Sequence, residues 1–405
     1  METVTAAVLD ADYTLEGGLS VRMFCVTADG EPLVAEHDGF HPYFYAVPAG
    51  DVDAERAQET VSEAVFDLDD ETVTPRDVTV EQMQDGREEV TVLTVVLDEP
   101  PQVPKVRKKI TKMESIAETR EFDIPFYKRY LIDTGTAPAT WVELEGELDR
   151  EPHPATMELA GPPSPAEEQD YTFSTLAFDL EVYEDEVIMC SFYADGVETV
   201  LVQGSDGIDA DIVEEVDGEK ALLERMLAVV EEHDPDILLG YNTDEFDFDV
   251  LRGRAEEHDV ELTVGRTDER MRFKRRGRFS GAYLEGRVHL DLYAFVENVV
   301  SMGMQSDLLT LDAVAEELIG ENKDELSWEE MKRLWEEQED LDTFARYALR
   351  DAELVHELGE ALVAQILSLS RLTGLPPFDV CRHTYGQLVE NYLLRKAHDR
   401  GIVAP

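Results

Sequence analysis

The sequence predicts an α/β fold built on a mixed β-sheet, with a β-rich region before it. Four apolar runs have the length and composition of buried strands: 173–182, 187–193, 199–202 and 236–241. A helical segment at roughly 217–233 lies among them, and its apolar residues recur at the spacing of one helix face: Leu222, Leu223, Met226, Leu227, Val229 and Val230. This alternation of strands and helices is typical of layered α/β domains.

Residues 1–133 predict a β-rich N-terminal domain. Strand-like runs occur at 21–26, 43–47 and 90–97. The acidic residues 51–90 are weakly patterned, and we expect a short helix and loops there. The acidic residues 134–170 contain six prolines, which predicts a linker or surface insertion.

The second half of the chain is predominantly helical in pattern. Helices are predicted near 308–319, 327–337 and 340–365, followed by one long helix from Val380 to Asp399. We therefore expect one domain over residues 171–362 and a separate helical segment over residues 363–405.

Composition excludes several classes of protein. No apolar run approaches the ~18 residues that a membrane span requires, so no membrane partner is expected. No signal peptide is evident, and three distant cysteines argue against a disulfide framework or a zinc cluster. These features predict a reducing, cytoplasmic location.

The net charge is extreme, with 35 basic and 91 acidic residues giving −56. Such a charge destabilises a compact chain by self-repulsion, which salt relieves because the Debye length is only ~3 Å at 1 M. The charge predicts a halophilic protein, and any nucleic acid must be met by local basic patches and metal ions.

Two carboxylates interrupt the apolar run at 175–182. Asp179 and Glu181 are two residues apart, so on a strand they project from the same face. Carboxylates are hard ligands suited to Mg²⁺ or Mn²⁺, and the pair could form half of a two-metal phosphoryl-transfer site. The alternative is a solvated surface pair, because acidic triplets are common by chance in this composition.

Two further positions could supply the remaining ligands. Asp247 follows the strand at 236–241, where open α/β sheets place their sites, although it could equally cap the next helix. Tyr347 and Asp351 are four residues apart and share a helix face. They could be a hydrogen-bonded pair, or a metal ligand with a residue that positions water.

The densest basic cluster of the chain lies between 270 and 278. A phosphate backbone is its expected ligand, since basic side chains dominate contacts with nucleic acids. The aromatic residue next to Asp247 is grouped with them, so the expected DNA contacts are Arg270, Arg272, Lys274, Arg275, Arg276, Arg278 and Phe246.

Four pieces of sequence stand in a characteristic order. They are Phe178-Asp179-Leu180-Glu181, Tyr241-Asn242 through Phe246-Asp247, His289-Leu290-Asp291-Leu292-Tyr293, and Tyr347 with Asp351. Together they resemble the 3′–5′ proofreading exonuclease domain of family B DNA polymerases, especially archaeal ones, and with the charge they suggest a haloarchaeal member. The resemblance implies a ribonuclease-H-like domain with a mixed sheet, and a segment 363–405 that returns to the N-terminal domain.

The resemblance also implies the chemistry. Asp179 would bridge two Mg²⁺ or Mn²⁺ ions, Glu181 and Asp351 would complete the first, and Asp247 would hold the second. Tyr347 and Glu181 would orient the attacking water, and hydrolysis at a single-stranded or primer-template 3′ end would release 5′-mononucleotides.

Two other expectations follow from the resemblance. The family's polymerase motifs are missing, so this chain would need a palm and thumb chain or segment, and a sliding clamp would bind through that missing part. Without it the chain could instead be a DNA-binding module with little activity. Archaeal relatives hold template uracil in an N-terminal pocket, although the matching residues could simply be domain core: Tyr13, Pro42, Tyr43, Gln102, Val103, Arg107 and Phe126.

Overall fold

The structure is a computed structural model. It describes the whole chain except residues 69–70, 205–207, 209, 277–278 and 322–325, and it leaves out the side chains of residues 276, 279 and 328. Among the described helices, none is both long enough and apolar enough to cross a membrane.

The N-terminal region contains two main sheets and three helices. Its elements are β1 (Glu2–Thr14), β2 (Ser20–Thr27), β3 (Pro32–Asp38), β4 (Tyr43–Pro48), α1 (Ala54–Ser62), β5 (Phe66–Asp67), β6 (Thr72–Val73), β7 (Asp77–Asp85), β8 (Glu88–Val96), α2 (Val103–Ile110), β9 (Ile116–Arg120), α3 (Phe126–Asp133), β10 (Trp141–Asp149), β11 (Ala155–Leu159) and β12 (Ser164–Pro165).

The larger N-terminal sheet has the order β1-β2-β3-β11-β10-β12, and β10 also pairs with β1. The sheet therefore closes on itself around an apolar core that α3 covers with Phe126, Tyr127 and Tyr130. The second sheet has the order β7-β8-β4-β9, and its own core includes residues of α1 and α2.

Two expectations for this region were wrong. Residues 134–170 are not a linker, because β10, β11 and β12 are strands of the first sheet. Prolines 152 and 154 lie in the connection between β10 and β11, so they do not interrupt the strands. Residues 51–90 contain the nine-residue strand β7 besides helix α1, since β7 pairs along its length with β8.

A second α/β unit follows. Its elements are β13 (Thr175–Tyr183), β14 (Glu186–Ala194), β15 (Val197–Gln203), β16 (Val213–Val216), α4 (Gly218–His233), β17 (Ile237–Gly240), α5 (Asp247–His258), β18 (Arg272–Arg276), β19 (Phe279–Tyr283), β20 (Val288–Asp291), α6 (Leu292–Phe295), α7 (Leu311–Leu318), α8 (Trp328–Glu337), α9 (Leu341–Thr373), α10 (Pro377–Arg382) and α11 (Tyr385–His398).

The sheet of this unit has the order β16-β15-β14-β13-β17-β20 and is mixed, as expected. β13, β17 and β20 are parallel to one another, whereas β14 is antiparallel to both of its neighbours. Helices α4 and α5 pack against one face through the core that contains Phe178 and Leu180. Helix α9 packs against the other face, where Ala177 contributes to the core. The carboxyl ends of the three parallel strands therefore meet at one edge.

The last part of the chain differs from the prediction in two ways. Helix α9 runs without interruption over 33 residues and crosses the boundary expected between 362 and 363. The long helix expected over 380–399 is instead two helices, because His383 leaves helical geometry and Thr384 caps the start of α11.

Candidate metal centre

Three carboxylates from two elements converge at one face of the sheet. The ligand atoms of Asp179, Glu181 and Asp351 all lie within 4.8 Å of one another. Asp179 and Glu181 are half-buried on β13, and Asp351 is buried on α9. A set made only of carboxylate oxygens fits a hard divalent cation such as Mg²⁺ or Mn²⁺.

The alternation of β13 explains why these side chains face α9. Ala177 occupies the same face as Asp179 and Glu181 and packs in the core beneath α9, whereas Phe178 and Leu180 pack against α4 and α5. The strand thus directs two acids away from the α4–α5 core.

Small residues let α9 approach the sheet closely enough to deliver Asp351. Ala345, Ala348 and Ala352 are fully buried on the helix. Ser191 of β14 donates from its Oγ to the backbone carbonyl of Ala348 at 2.9 Å, which ties the helix to the sheet. A Cβ at Gly359 would lie 2.4 Å from Leu239 Cδ1, so a larger residue would push the helix outward.

Tyr347 lies one helical turn before Asp351 on α9 and is half-buried. Residues four apart on a helix share a face, so the phenol is on the side of the helix that carries the carboxylate.

Asp247 is near this group but is not a member of it. It is the first residue of α5 and is only 3% exposed. Its carboxyl lies beside the backbone of Leu180, the residue between Asp179 and Glu181. Burial raises the pKa of Asp247 to about 7, and the nearby charge of Asp291 contributes to the rise. A cation held close by would oppose this shift and favour the charged form.

The connection between β17 and α5 is organised around Asp291, at the end of β20. Its carboxylate accepts the backbone N–H of Asn242 at 2.8 Å and that of Asp244 at 3.0 Å. It also accepts the N–H of Tyr293 at 3.0 Å and so caps α6. Burial, followed by the charge of Asp244, raises the pKa of Asp291 to about 6.

A buried arginine completes the network, and the sequence analysis did not predict it. Arg382 of α10 is 1% exposed and forms two hydrogen bonds with the Asp244 carboxylate, at 2.7 and 3.0 Å. Burial raises the pKa of Asp244, but Arg382 and His289 bring it below its ordinary value. The available signal was a charged residue directly after the mostly apolar run 377–381, and such a signal is weak in a chain so rich in charge.

Comparison with known proteins shows what this chain is similar to. Residues 117–311 match the family described as DNA polymerase family B, exonuclease domain. The DNA polymerase of Thermococcus sp. (strain 9oN-7) is 33% identical over 406 residues, which cover 98% of this chain and 48% of that protein. The DNA polymerase of Desulfurococcus sp. (strain Tok) is 34% identical over 407 residues, with the same shares covered.

The chain is therefore similar to the N-terminal and exonuclease region of family B DNA polymerases. A solved structure of the family B DNA polymerase from the hyperthermophilic archaeon Pyrobaculum calidifontis agrees, with a TM-score of 0.85 and 28% identity over 99% of this chain and 51% of that one. The chain thus spans about half the length of these relatives.

The basic hairpin formed by β18 and β19 is partly occupied by internal contacts. Arg270 pairs with Glu261, and Arg272 lies 3.3 Å from both Asp12 and Glu285. The Lys274 ammonium lies 3.0 Å from the ring centroid of Tyr283. These cations are thus less available to a phosphate backbone than their number suggests.

Two of the other residues expected to contact DNA have exposed side chains. The Arg275 side chain is exposed, and Phe246 is 47% exposed beside Asp247. The Arg276 side chain and the whole of Arg278 lie outside the described residues.

A cleft of about 920 Å³ lies between the N-terminal region and this hairpin. Five of the seven residues expected to hold uracil line it: Tyr13, Pro42, Tyr43, Val103 and Phe126. The other two are not among the residues that line the cleft. Gln102 is buried, with its side chain 3.2 Å from Glu71, and the Arg107 guanidinium lies 3.6 Å from the ring centroid of Phe122.

Proposed function

We propose that this chain is the editing part of a DNA-directed DNA polymerase and that it hydrolyses DNA from the 3′ end. The observation that carries the proposal is the convergence of Asp179, Glu181 and Asp351 within 4.8 Å, on a chain of the family B exonuclease region. Such a centre positions a divalent ion against a phosphodiester, and a second ion would stabilise the leaving 3′ oxygen.

The proposed roles are those that the family resemblance implies, and the convergence of three of the acids supports them. Asp179, Glu181 and Asp351 would hold the first Mg²⁺ or Mn²⁺, and Asp179 would also contribute to the second. Asp247, which lies outside that group of three, would complete the second. Tyr347 orients the attacking water, and Phe246 contacts the terminal bases through its exposed ring.

The proposal also includes the domain boundaries of the chain and its binding partners. Residues 1–133 with strands β10–β12 form the N-terminal domain, 171–362 the exonuclease domain, and 363–405 the returning segment. The remaining half of the relatives' length would supply the palm and thumb, and a sliding clamp would bind there. The three cysteines are buried and free, which is compatible with the proposed cytoplasmic location.

Template-uracil binding is a second proposal, and the cleft of about 920 Å³ supports it because five expected residues line that cleft. The basic residues of the hairpin would contact the template strand beside it. Halophilic adaptation rests on the net charge of −56 alone, because the comparisons do not support it.

One assay tests the exonuclease. The chain is incubated with Mg²⁺ and single-stranded DNA labelled at its 3′ nucleotide, in molar KCl. We expect release of labelled 5′-mononucleotide, abolished in Asp179→Ala and retained in Glu198→Ala, which removes an exposed acid of β15 in the same sheet. DNA retention without release, in the wild-type chain, would favour a DNA-binding module instead.

A further inference from the structure

Arg382 lies far from the carboxylate group in sequence, yet it contacts the connection that carries Asp247. Besides its two bonds to Asp244, it donates to the backbone carbonyl of His289 at 3.2 Å and to that of Phe378 at 2.9 Å. Its guanidinium carbon lies 3.8 Å from the ring centroid of Phe378. A guanidinium is always charged in proteins, so a fully buried one needs this many partners.

The partner of Arg382 is fixed from several directions at once. The Asp244 carboxylate also accepts the backbone N–H of Ala282 at 2.9 Å, and the Asp244 N–H donates to Asp291. Asp244 therefore joins three segments: the β17–α5 connection, the hairpin strand β19 and the end of β20.

The same connection sets the start of α5. The N–H of Phe248 donates to the carbonyl of Thr243 at 3.0 Å, and the N–H of Phe246 donates to that of Asn242 at 3.2 Å. The first of these bonds spans Asp247 and the second closes the turn just before it, so the position of the Asp247 carboxylate depends on the backbone at 242–244.

Helix α10, which carries Arg382, is itself anchored to the N-terminal region. The Tyr127 hydroxyl of α3 donates to Asp379 of α10 at 2.7 Å, and Lys128 lies 3.4 Å from the same carboxylate. Helix α10 is thus held by α3 through Asp379, and its Arg382 holds the β17–α5 connection.

We propose that Arg382 is a positioning residue for the exonuclease centre: it fixes the backbone at 242–244 and, through it, the Asp247 carboxylate. This inference rests on the proposed function. It adds that the second-ion ligand is placed by a residue outside the 171–362 region. Without Arg382, Asp244 and Asp291 would be neighbouring buried acids lacking their cation, and the connection would rearrange.

The test compares Arg382→Met and Arg382→Lys with Arg287→Met. Arg287 is also buried and bonds to Asp234 and two carbonyls, but it lies at the opposite end of β20 from Asp291. Mn²⁺ binding is measured by electron paramagnetic resonance of the free ion. We expect Arg382→Met to bind the first ion with wild-type affinity and the second about 10- to 100-fold more weakly. A loss of this size is typical when a residue that orients a metal ligand is removed. Arg382→Lys should lie between it and wild type, because lysine keeps the charge without the two-pronged geometry.

Amide hydrogen exchange without metal provides a second readout. Exchange at Asn242 and Asp244, whose N–H groups bond to Asp291, should accelerate in both Arg382 variants and not in Arg287→Met. If Arg382→Met binds both ions like wild type, or if Arg287→Met weakens the second ion equally, the positioning role is wrong. If the wild-type chain binds no Mn²⁺ and releases no nucleotide, the proposed function itself fails, whatever the exchange data show. Should Arg382→Met fail to fold, Arg382→Lys decides by the same two measurements.

Discussion

Gly281 of β19 lies directly against the Arg382 side chain, and a Cβ built at residue 281 would be 2.2 Å from Arg382 Nε and 2.8 Å from its Cδ. The absence of a side chain at 281 therefore makes room for the arginine that bonds to Asp244. The backbone of Gly281 has no left-handed φ angle, so space is what requires glycine here.

Gly281→Ala should destabilise the chain, because neither the buried guanidinium nor the hairpin can move without breaking hydrogen bonds. We expect a loss of about 1–3 kcal/mol in the free energy of unfolding, as for other overpacked sites. Chemical denaturation measures it. The control is Gly253→Ala in α5, where no atom lies within 4 Å of the added Cβ. That change should stabilise by about 0.5–1 kcal/mol, since alanine favours the helix.

Metal binding should stabilise the chain in a way that depends on Asp179. A ligand that binds only the folded state adds about 2.7 kcal/mol at one hundred times its dissociation constant. We expect Mg²⁺ to raise the melting temperature of the wild-type chain at constant ionic strength and to have little effect on Asp179→Asn. Without metal, Asp179→Asn should melt higher than wild type, because one of three crowded carboxylates loses its charge. An equal response to Mg²⁺ in both proteins would contradict the proposed centre.

The sequence predicted those parts of the fold whose pattern is local. Alternation in β13 indicated that Asp179 and Glu181 share a face, and helical spacing predicted α4 within a residue of its observed bounds. Strand β10 was missed because its outward positions are glutamates and prolines flank it, so its composition resembles that of a linker.

The site was harder to predict than the sheet. Asp351 was linked with Asp179 only by family resemblance, since nothing local indicates that α9 packs across β13. The bond between Asp244 and Arg382 joins residues 138 positions apart, and no periodicity reports a contact of that kind. The roles of the site residues stay predictions until the assays are done.

His289 should make the chain lose stability in mild acid. It is fully buried, and burial lowers its pKa to about 4, with Arg382 lowering it further and Asp244 opposing the shift. The folded state therefore keeps the imidazole neutral while the unfolded state takes up a proton near pH 6.5. The contribution of the neutral His289 imidazole to the free energy of unfolding is fully present above pH 6.5. It is lost as the pH falls towards 4, and the total loss is about 3 kcal/mol.

The measurement is the free energy of unfolding between pH 7.5 and 4, for wild type and His289→Gln. Buried acids such as Asp10 have the opposite effect on stability. Because burial raises the pKa of Asp10 to about 6, its protonation stabilises the folded chain as the pH falls. The difference in unfolding free energy between wild type and His289→Gln isolates the contribution of His289. This difference should become steadily smaller as the pH falls below 6.5. His233→Gln, at an exposed position at the end of α4, is the matched control. A difference in unfolding free energy between wild type and His289→Gln that does not vary with pH would contradict this role of His289.

Salt should stabilise the chain through its acidic surface, and β10 offers a local test. Glu143, Glu145 and Glu147 are exposed on one face of this strand, where like charges two residues apart repel. Raising KCl from 0.1 to 2 M should raise the melting temperature of the wild-type chain, because screening shortens the Debye length to about 3 Å or less. The variant in which all three glutamates are replaced by Gln should melt at a higher temperature than wild type in 0.1 M KCl. The free energy of unfolding that it gains from added salt should be smaller than the wild-type gain by about 0.5–1 kcal/mol. The triple Asp variant keeps the three charges and should retain the wild-type salt response. Melting that is independent of KCl would mean that a net charge of −56 does not govern stability here.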